Sequence, residues 1–345
     1  MMPRERSLPK LVLVLLIALF LGACSDVIEI EDEEYEETDS VGKTRLTIAM
    51  VPKFGGTPYF TIAKRGAENA ARDLDVDLIF QGPGVADAAQ QEAIIEELIE
   101  KRVDALCVSC NDPAALTGVL TKARREGIRV ITWDSDSEKE VRELFILGVD
   151  PEQMGRHVMD YLAKYMDYSG KFAIVSGAVT SSTVNEWIYW TKKQLEEKYK
   201  EIELVTVVPS EDNMEKAYMQ AKNILQTYPD IKGIIGYCDT AGPGVARAVQ
   251  EAGLNGKVKV VAASMPNSIA RFLKSNACQA SVLYDIEKMG YLTVAVAVKL
   301  VTEDKMPEDG EDIPTVGKIR LIEGRTVVLG DPMDFTVVNV DKFKY

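Results

Sequence analysis

From Leu46 onward the chain repeats one unit: a short apolar, β-branched run, a polar exit, then a stretch whose apolar residues recur at helical spacing. The runs 46–51, 76–80, 104–109 and 129–133 begin 30, 28 and 25 residues apart. Between them lie the helical patterns 59–75, 87–102 and 113–126, the last closed by Gly127 as a C-terminal cap. Strand and helix alternating at this spacing predict a parallel sheet with helices on both faces. The pattern pauses at the short run 144–147, then restarts with helix 151–166 and strand 171–176. Helices at 183–199, 214–227, 241–252 and 268–275 then alternate with strands at 202–208, 232–236, 257–263 and 278–284. A body of about 300 residues exceeds one comfortable core, so the pause at 148–150 reads as a seam between two similar lobes. A last helix, 287–300, and a tail with strand-like runs at 326–329 and 336–339 complete the pattern.

Ahead of the body, Arg4, Arg6 and Lys10 precede an apolar run, 11–21, that ends in Leu21-Gly22-Ala23-Cys24. Charge, a short apolar core and small residues make a secretory leader over 1–23, and the core is too short for a membrane span of about 20 residues. The LGAC quartet resembles the lipobox of bacterial lipoproteins, which implies lipid attachment at Cys24 and an extracytoplasmic, membrane-anchored chain. Nine acids and no base follow in 26–40, so 24–43 reads as a solvated tether extended by self-repulsion.

The whole chain carries −14; the leader holds three bases and one acid, so its removal leaves −16, of which the acidic run 26–40 accounts for nine. A body at −7 is only moderately acidic, and no basic footprint points to nucleic acid. Cys107 and Cys110 form a C-x-x-C, but they sit on an alternating strand pattern that sends residues three apart to opposite faces. With no second pair and His157 the sole histidine, the cysteines read as small buried hydrophobes, not a redox or zinc site. No Gly-rich phosphate loop, nucleophile elbow or metal-ligand cluster appears, and no cofactor is expected.

Ligands of open parallel sheets sit beyond the carboxyl ends of the strands. Those ends supply Lys53, Ser109, Asp134, Asn185, Tyr237, Asp239, Tyr284 and Asp285, with Tyr59 and Phe60 at the start of the first helix. Carboxylates accept pairs of hydroxyl hydrogen bonds and rings cover C–H faces, so the set suits a small polyol. Each has a plainer role: Asp136 as a loop or capping residue, Trp187 and Trp190 as packing, Tyr59 and Phe60 as staple or core. Lys53, Asp134 and Asp239 resist it, because a charge just past a buried strand is costly unless paired.

The stretches VPKFGGTPYFTIAKRGAENAA, VDALCVSCNDPAAL, RVITWDSDS, PDIKGIIGYCD and SVLYDIEKMG resemble the type I periplasmic sugar-binding proteins, the solute receptors of ABC importers. Through VPK and TWDSD the chain looks closest to the autoinducer-2 and rhamnose receptor branch. The resemblance implies two doubly wound lobes joined by three crossings, 44–148 with 285–325 and 149–284 with 326–345, closing on the ligand like a hinge. It implies that Lys53 and Asp134 hold the ligand from the first lobe and Asp239 from the second, that Tyr59 and Phe60 are its aromatic pair, and that Tyr284 stands at a polar hinge position. Where autoinducer-2 receptors show Asp-Gln, this chain has Thr183-Val184, and where they show proline and alanine it has Tyr237 and Asp239. A monosaccharide, either a rhamnose-like deoxyhexose or a pentose, is therefore expected, delivered by a monomeric, non-enzymatic receptor to an ABC permease, with an autoinducer-2 receptor as the alternative. A lac-repressor-type regulator shares the fold but would need a basic DNA-binding segment where the leader and tether stand. A glycosidase using Asp134 opposite Asp239 would need a raised-pKa acid, which nothing in the sequence singles out.

Overall fold

The computed structural model describes residues 45–344; the leader, Cys24 and the whole of the tether lie outside the described residues. The first lobe alternates β1 (Thr47–Val51), α1 (Pro58–Asp73), β2 (Asp77–Phe80), α2 (Ala88–Glu100), β3 (Ala105–Val108), α3 (Thr117–Arg125), β4 (Arg129–Trp133) and β5 (Leu144–Val149). The second runs α4 (Pro151–Tyr165), β6 (Gly170–Ser176), α5 (Ser182–Lys198), β7 (Ile202–Pro209), α6 (Met214–Thr227), β8 (Ile231–Tyr237), α7 (Ala241–Glu251), β9 (Lys259–Ala263), α8 (Pro266–Lys274) and β10 (Ala280–Leu283). Then come α9 (Ile286–Glu303), the hairpin β11 (Asp312–Ile313) and β12 (Gly317–Lys318), and β13 (Arg320–Ile322), β14 (Thr326–Gly330) and β15 (Met333–Phe335). Two main sheets result, ordered β13-β14-β5-β4-β3-β1-β2 and β15-β10-β9-β8-β6-β7, parallel except at β13 and β15. Ends shift by a few residues from the periodicity; the largest shift is at α3, whose expected first turn is instead a loop held by Asp112 Oδ1, which accepts from the N–H groups of Ala114 and Ala115.

Local chemistry explains the elements that frame the cleft. Thr57 caps α1 by accepting from Phe60 N, and Pro58 pre-sets the first turn. Returning from the second lobe, α9 lies against α1 so closely that a Cβ on Gly290 would stand 2.0 Å from Ala63 O. Cys107 faces the cluster of Met50 and Ile131, while Cys110 joins Val108 and Leu116 in the opposite cluster, so the two sulfurs diverge and both thiols are free. Burial pushes both thiols above their ordinary range.

Two expectations for the tail need correction. The resemblance places residues 326–345 in the second lobe, but β14 pairs in parallel with β5 and extends the first sheet; the chain crosses over only after Gly330, and β15 pairs with β10. An apolar run such as TVVLG satisfies any open sheet edge, so its composition cannot select one. The run 336–339 is a turn, not a strand: Asn339 Oδ1 accepts from Thr336 N, and its amide donates to Asp334 O. Val337 and Val338 have β-strand chemistry but stand 56% and 84% exposed, because the Asn339 side chain occupies the backbone groups that a ladder would need. Among the described residues no helix is long and apolar enough to cross a membrane.

Candidate functional site

The first-lobe wall begins where β4 stops. Trp133 is fully buried and donates its indole N–H to Cys107 O at 3.1 Å, anchoring the strand end. Asp134 then turns to φ +62°, a left-handed conformation that Asp tolerates better than most residues, while its N–H still reaches Ile146 O. The turn brings both carboxylate oxygens to donors: Tyr59 OH to Oδ1 at 2.6 Å and Ser109 Oγ to Oδ2 at 2.7 Å. Tyr59 OH also lies 2.7 Å from Tyr284 OH, so α1, the end of β4 and the β10–α9 crossing meet in one polar chain. Burial, reinforced by the charge of Asp134, raises both tyrosine pKa values, which keeps them neutral and able to donate. A Cβ on Gly148 would stand 2.0 Å from the Tyr284 ring, so glycine there is what lets the ring lie against β5. Phe60 stands edge-on to Trp133, Tyr59 and Phe54.

The second lobe answers with Cys238 and Asp239 after β8, Asp212 after β7, and Thr183, Val184 and Trp187 along α5. Cys238 holds φ +105°, well outside ordinary backbone for a residue with a side chain. Asp239 accepts from Met265 N at 2.8 Å and from Ser268 Oγ at 3.4 Å; desolvation nevertheless raises its pKa. These residues, with Lys53, Phe54, Thr57, Tyr59, Phe60, Asp134, Ser181, Thr240, Ala263, Leu283 and Tyr284, line one cavity between the lobes.

Four consecutive hydroxyls, Thr180-Ser181-Ser182-Thr183, hold the lobes together at the start of α5. Thr180 Oγ1 donates to Asn111 O at 2.7 Å, and Ser181 Oγ accepts from Lys53 Nζ at 3.1 Å. Ser182 Oγ accepts from Asp136 N at 2.8 Å, and Thr183 Oγ1 donates to Asp134 O. All four partners belong to the first lobe, and Lys53 is thus turned to Ser181 and makes no ion pair with Asp134. Beneath this seam Asp136 forms a bidentate pair with the buried Arg142, at 2.9 and 2.8 Å, and accepts from Thr132 Oγ1. Its work is to support the loop.

The structure brings Lys53, Tyr59, Phe60, Asp134, Asp239 and Tyr284 to one cavity, with Ser109 directly behind Asp134. It does not bring Asn185, Tyr237 or Asp285 there. Asn185 is exposed and donates to Val179 O within its own loop, because the helical turn starting at Ser182 points positions 183, 184 and 187 inward instead. Tyr237, still paired in β8, is fully buried with its hydroxyl 2.5 Å from Thr191 Oγ1, a core residue. Asp285 caps α9 by accepting from Lys288 N. Thr183 and Val184, which stand where autoinducer-2 receptors have their Asp-Gln pair, and Trp187, whose plainer role is packing, line the cavity; Asp212 goes unflagged in the sequence, although the polar Ser210-Glu211-Asp212-Asn213 after an apolar run carries the same strand-exit signal as Asp134.

A model of the periplasmic binding protein domain matches residues 48–305. The D-ribose/D-allose-binding protein of Pseudomonas aeruginosa is 28% identical over 86% of this chain and 93% of its own length. A solved ABC transporter solute-binding protein from Clostridium phytofermentas, with bound L-rhamnose, superposes with a TM-score of 0.82 at 26% identity, covering 87% of this chain and 98% of the other. LsrB from Clostridium saccharobutylicum, in complex with AI-2, shares the fold with a TM-score of 0.80 at 24% identity, covering 87% and 100%. With two hinged α/β lobes, a cavity between them and a family match over most of the body, the chain belongs to the type I periplasmic binding proteins, which are receptors and not enzymes.

Proposed function

We propose that the protein captures a neutral monosaccharide between its lobes and presents it to the permease of an ABC importer. One observation carries the reading: Asp134 from the first lobe and Asp239 from the second border a single cavity whose remaining lining mixes aromatic and aliphatic side chains with Lys53, Asp212 and several hydroxyls. Ring hydroxyls supply the donors that two carboxylates need, and ring C–H faces fit against Phe54, Phe60 and Trp187. Val184, Ala263 and Leu283 give the lining apolar surface, which suits the methyl group of a 6-deoxyhexose of the rhamnose type or the ring C–H of a pentose. Thermal-shift screening of neutral monosaccharides tests this directly. A ligand at ~100 times its dissociation constant adds about 2.7 kcal/mol of stability, a clear rise in midpoint. The same ligand should reduce the radius of gyration in small-angle scattering if the lobes close on it. Stabilisation by autoinducer-2 and by no sugar would overturn the reading.

The leader and lipobox support a lipid anchor at Cys24, with 24–43 as the tether that lets a monomeric receptor reach its permease. Cells fed a radioactive fatty acid should label the wild type and leave Cys24→Ser unlabelled. Equal label on both would remove the anchor from the proposal.

A further inference from the structure

Trp187 carries the clearest unanswered polar group near the cavity. It is 4% exposed, it lines the space between the lobes from α5, and among the described residues its indole N–H is the only buried side-chain donor without a partner. Its ring leans on Tyr237, 5.8 Å between centroids, so one face is committed to the core. A buried donor left unmade costs more than an average hydrogen bond contributes, so such groups normally find an acceptor. The contrast with the other two tryptophans is informative. Trp133 spends its N–H on Cys107 O, and Trp190 packs under the Arg156 guanidinium, away from the cavity.

Resting on the proposed capture of a monosaccharide, we infer that the Trp187 indole N–H is a specificity-determining donor to one oxygen of the ligand. The carboxylates of the same wall sharpen the demand. Asp134, Asp212 and Asp239 only accept when ionised, whereas an indole only donates. A group that serves both must accept from Trp187 and also have a proton to give, which is the chemistry of a hydroxyl. A methylene or a fluorine at that position of the sugar fails one side or both. Trp187 therefore selects a hydroxylated ring position, while its neighbours Val184 and Leu283 tolerate a deoxy one.

The test uses the sugar found by the thermal screen, the full chain and calorimetric titration. Trp187→Phe keeps an aromatic ring and removes the N–H; affinity should fall about tenfold, while the melting temperature of the unliganded protein stays level or rises, since an unpaired donor has gone. Tyr237→Phe keeps the ring that Trp187 leans on but removes the hydroxyl paired with Thr191 Oγ1, and should lower stability with affinity intact. A series of singly deoxygenated sugars should contain one member that wild type binds more than tenfold more weakly than the parent sugar and for which that loss is clearly smaller in Trp187→Phe. In the ¹H–¹⁵N spectrum, the indole signal missing from Trp187→Phe should shift on saturation of the wild type. Wild-type affinity in Trp187→Phe, equal affinity losses in the two variants, or an unmoved indole signal would overturn the assignment. If no monosaccharide binds the wild type at all, it is the capture reading that fails.

Discussion

Exchanging Asp134 for asparagine is expected to weaken sugar binding by between about 10-fold and 100-fold while leaving the fold intact. Asparagine tolerates the left-handed φ of +62° at this position, so the backbone has no reason to move. What changes is the chemistry of the side chain. Both carboxylate oxygens now receive protein donors, from Tyr59 and Ser109, and retain lone pairs for ligand hydroxyls. An amide would turn an NH₂ towards one of those donors, breaking that bond and the orientation of Tyr59 with it. A hydrogen bond to a charged group contributes about 1.5–3 kcal/mol, and each 1.4 kcal/mol is tenfold in affinity. Alanine is the poorer probe, because it adds a backbone cost of about 1–2 kcal/mol at a left-handed position to the loss of the carboxylate. Asp239→Asn should cost at least about tenfold in affinity as well, since its carboxylate keeps only Met265 N and a long contact from Ser268. Calorimetric titration of both variants checks the pair. Unchanged affinity in both would remove the carboxylates from the ligand site and with them the case for a polyol.

Two residues on, Asp136→Ala should show the opposite pattern: a loss of about 3–5 kcal/mol of stability with sugar affinity changed far less. The Arg142 guanidinium is almost fully buried, at 1% exposure for the residue, and among the described residues Asp136 is the one carboxylate it pairs with. Removing Asp136 strands that cation, and leaving one member of a buried pair costs far more than the pair itself contributes. The remaining guanidinium bond, to Arg325 O, cannot offset the charge. Urea denaturation of the unliganded protein measures the effect. Replacing both partners, Asp136→Leu with Arg142→Met, should recover most of the stability, since apolar residues of similar volume fill such a site without a desolvation cost. A double variant as unstable as the single one would show that the loop depends on Asp136 for a reason other than charge, with Thr132 Oγ1 and Ser137 N as the remaining partners.

The alternation of apolar runs and amphipathic helices was legible because parallel strands covered on both faces must be apolar throughout, so each one stands out against its polar exit. The same logic put Lys53, Asp134 and Asp239 at a site: a charge immediately past a buried strand has few places to go. Sequence alone also separated the two aspartates of TWDSD into different roles, though Asp136 lies in a buried ion pair and not in the solvated loop that Asp and Ser suggest. Three further decisions belonged to the tertiary structure. Side-chain direction at a strand exit depends on backbone angles that composition does not encode. Tyr237 obeys strand alternation and goes to the core, whereas Cys238 at φ +105° breaks it and swings Asp239 into the cleft. Helix phase was the second: a start at Ser182 turns Thr183, Val184 and Trp187 inward and Asn185 outward, and one residue of shift would have rotated that face by about 100°. Third was the choice of partner over long separations. β14 could have extended either sheet, and it pairs with β5 in the first, while β15 a few residues later pairs with β10 in the second. Local sequence fixes what a segment can become, but contacts between segments far apart in the chain decide which surface it meets, and the cavity is made only of such contacts.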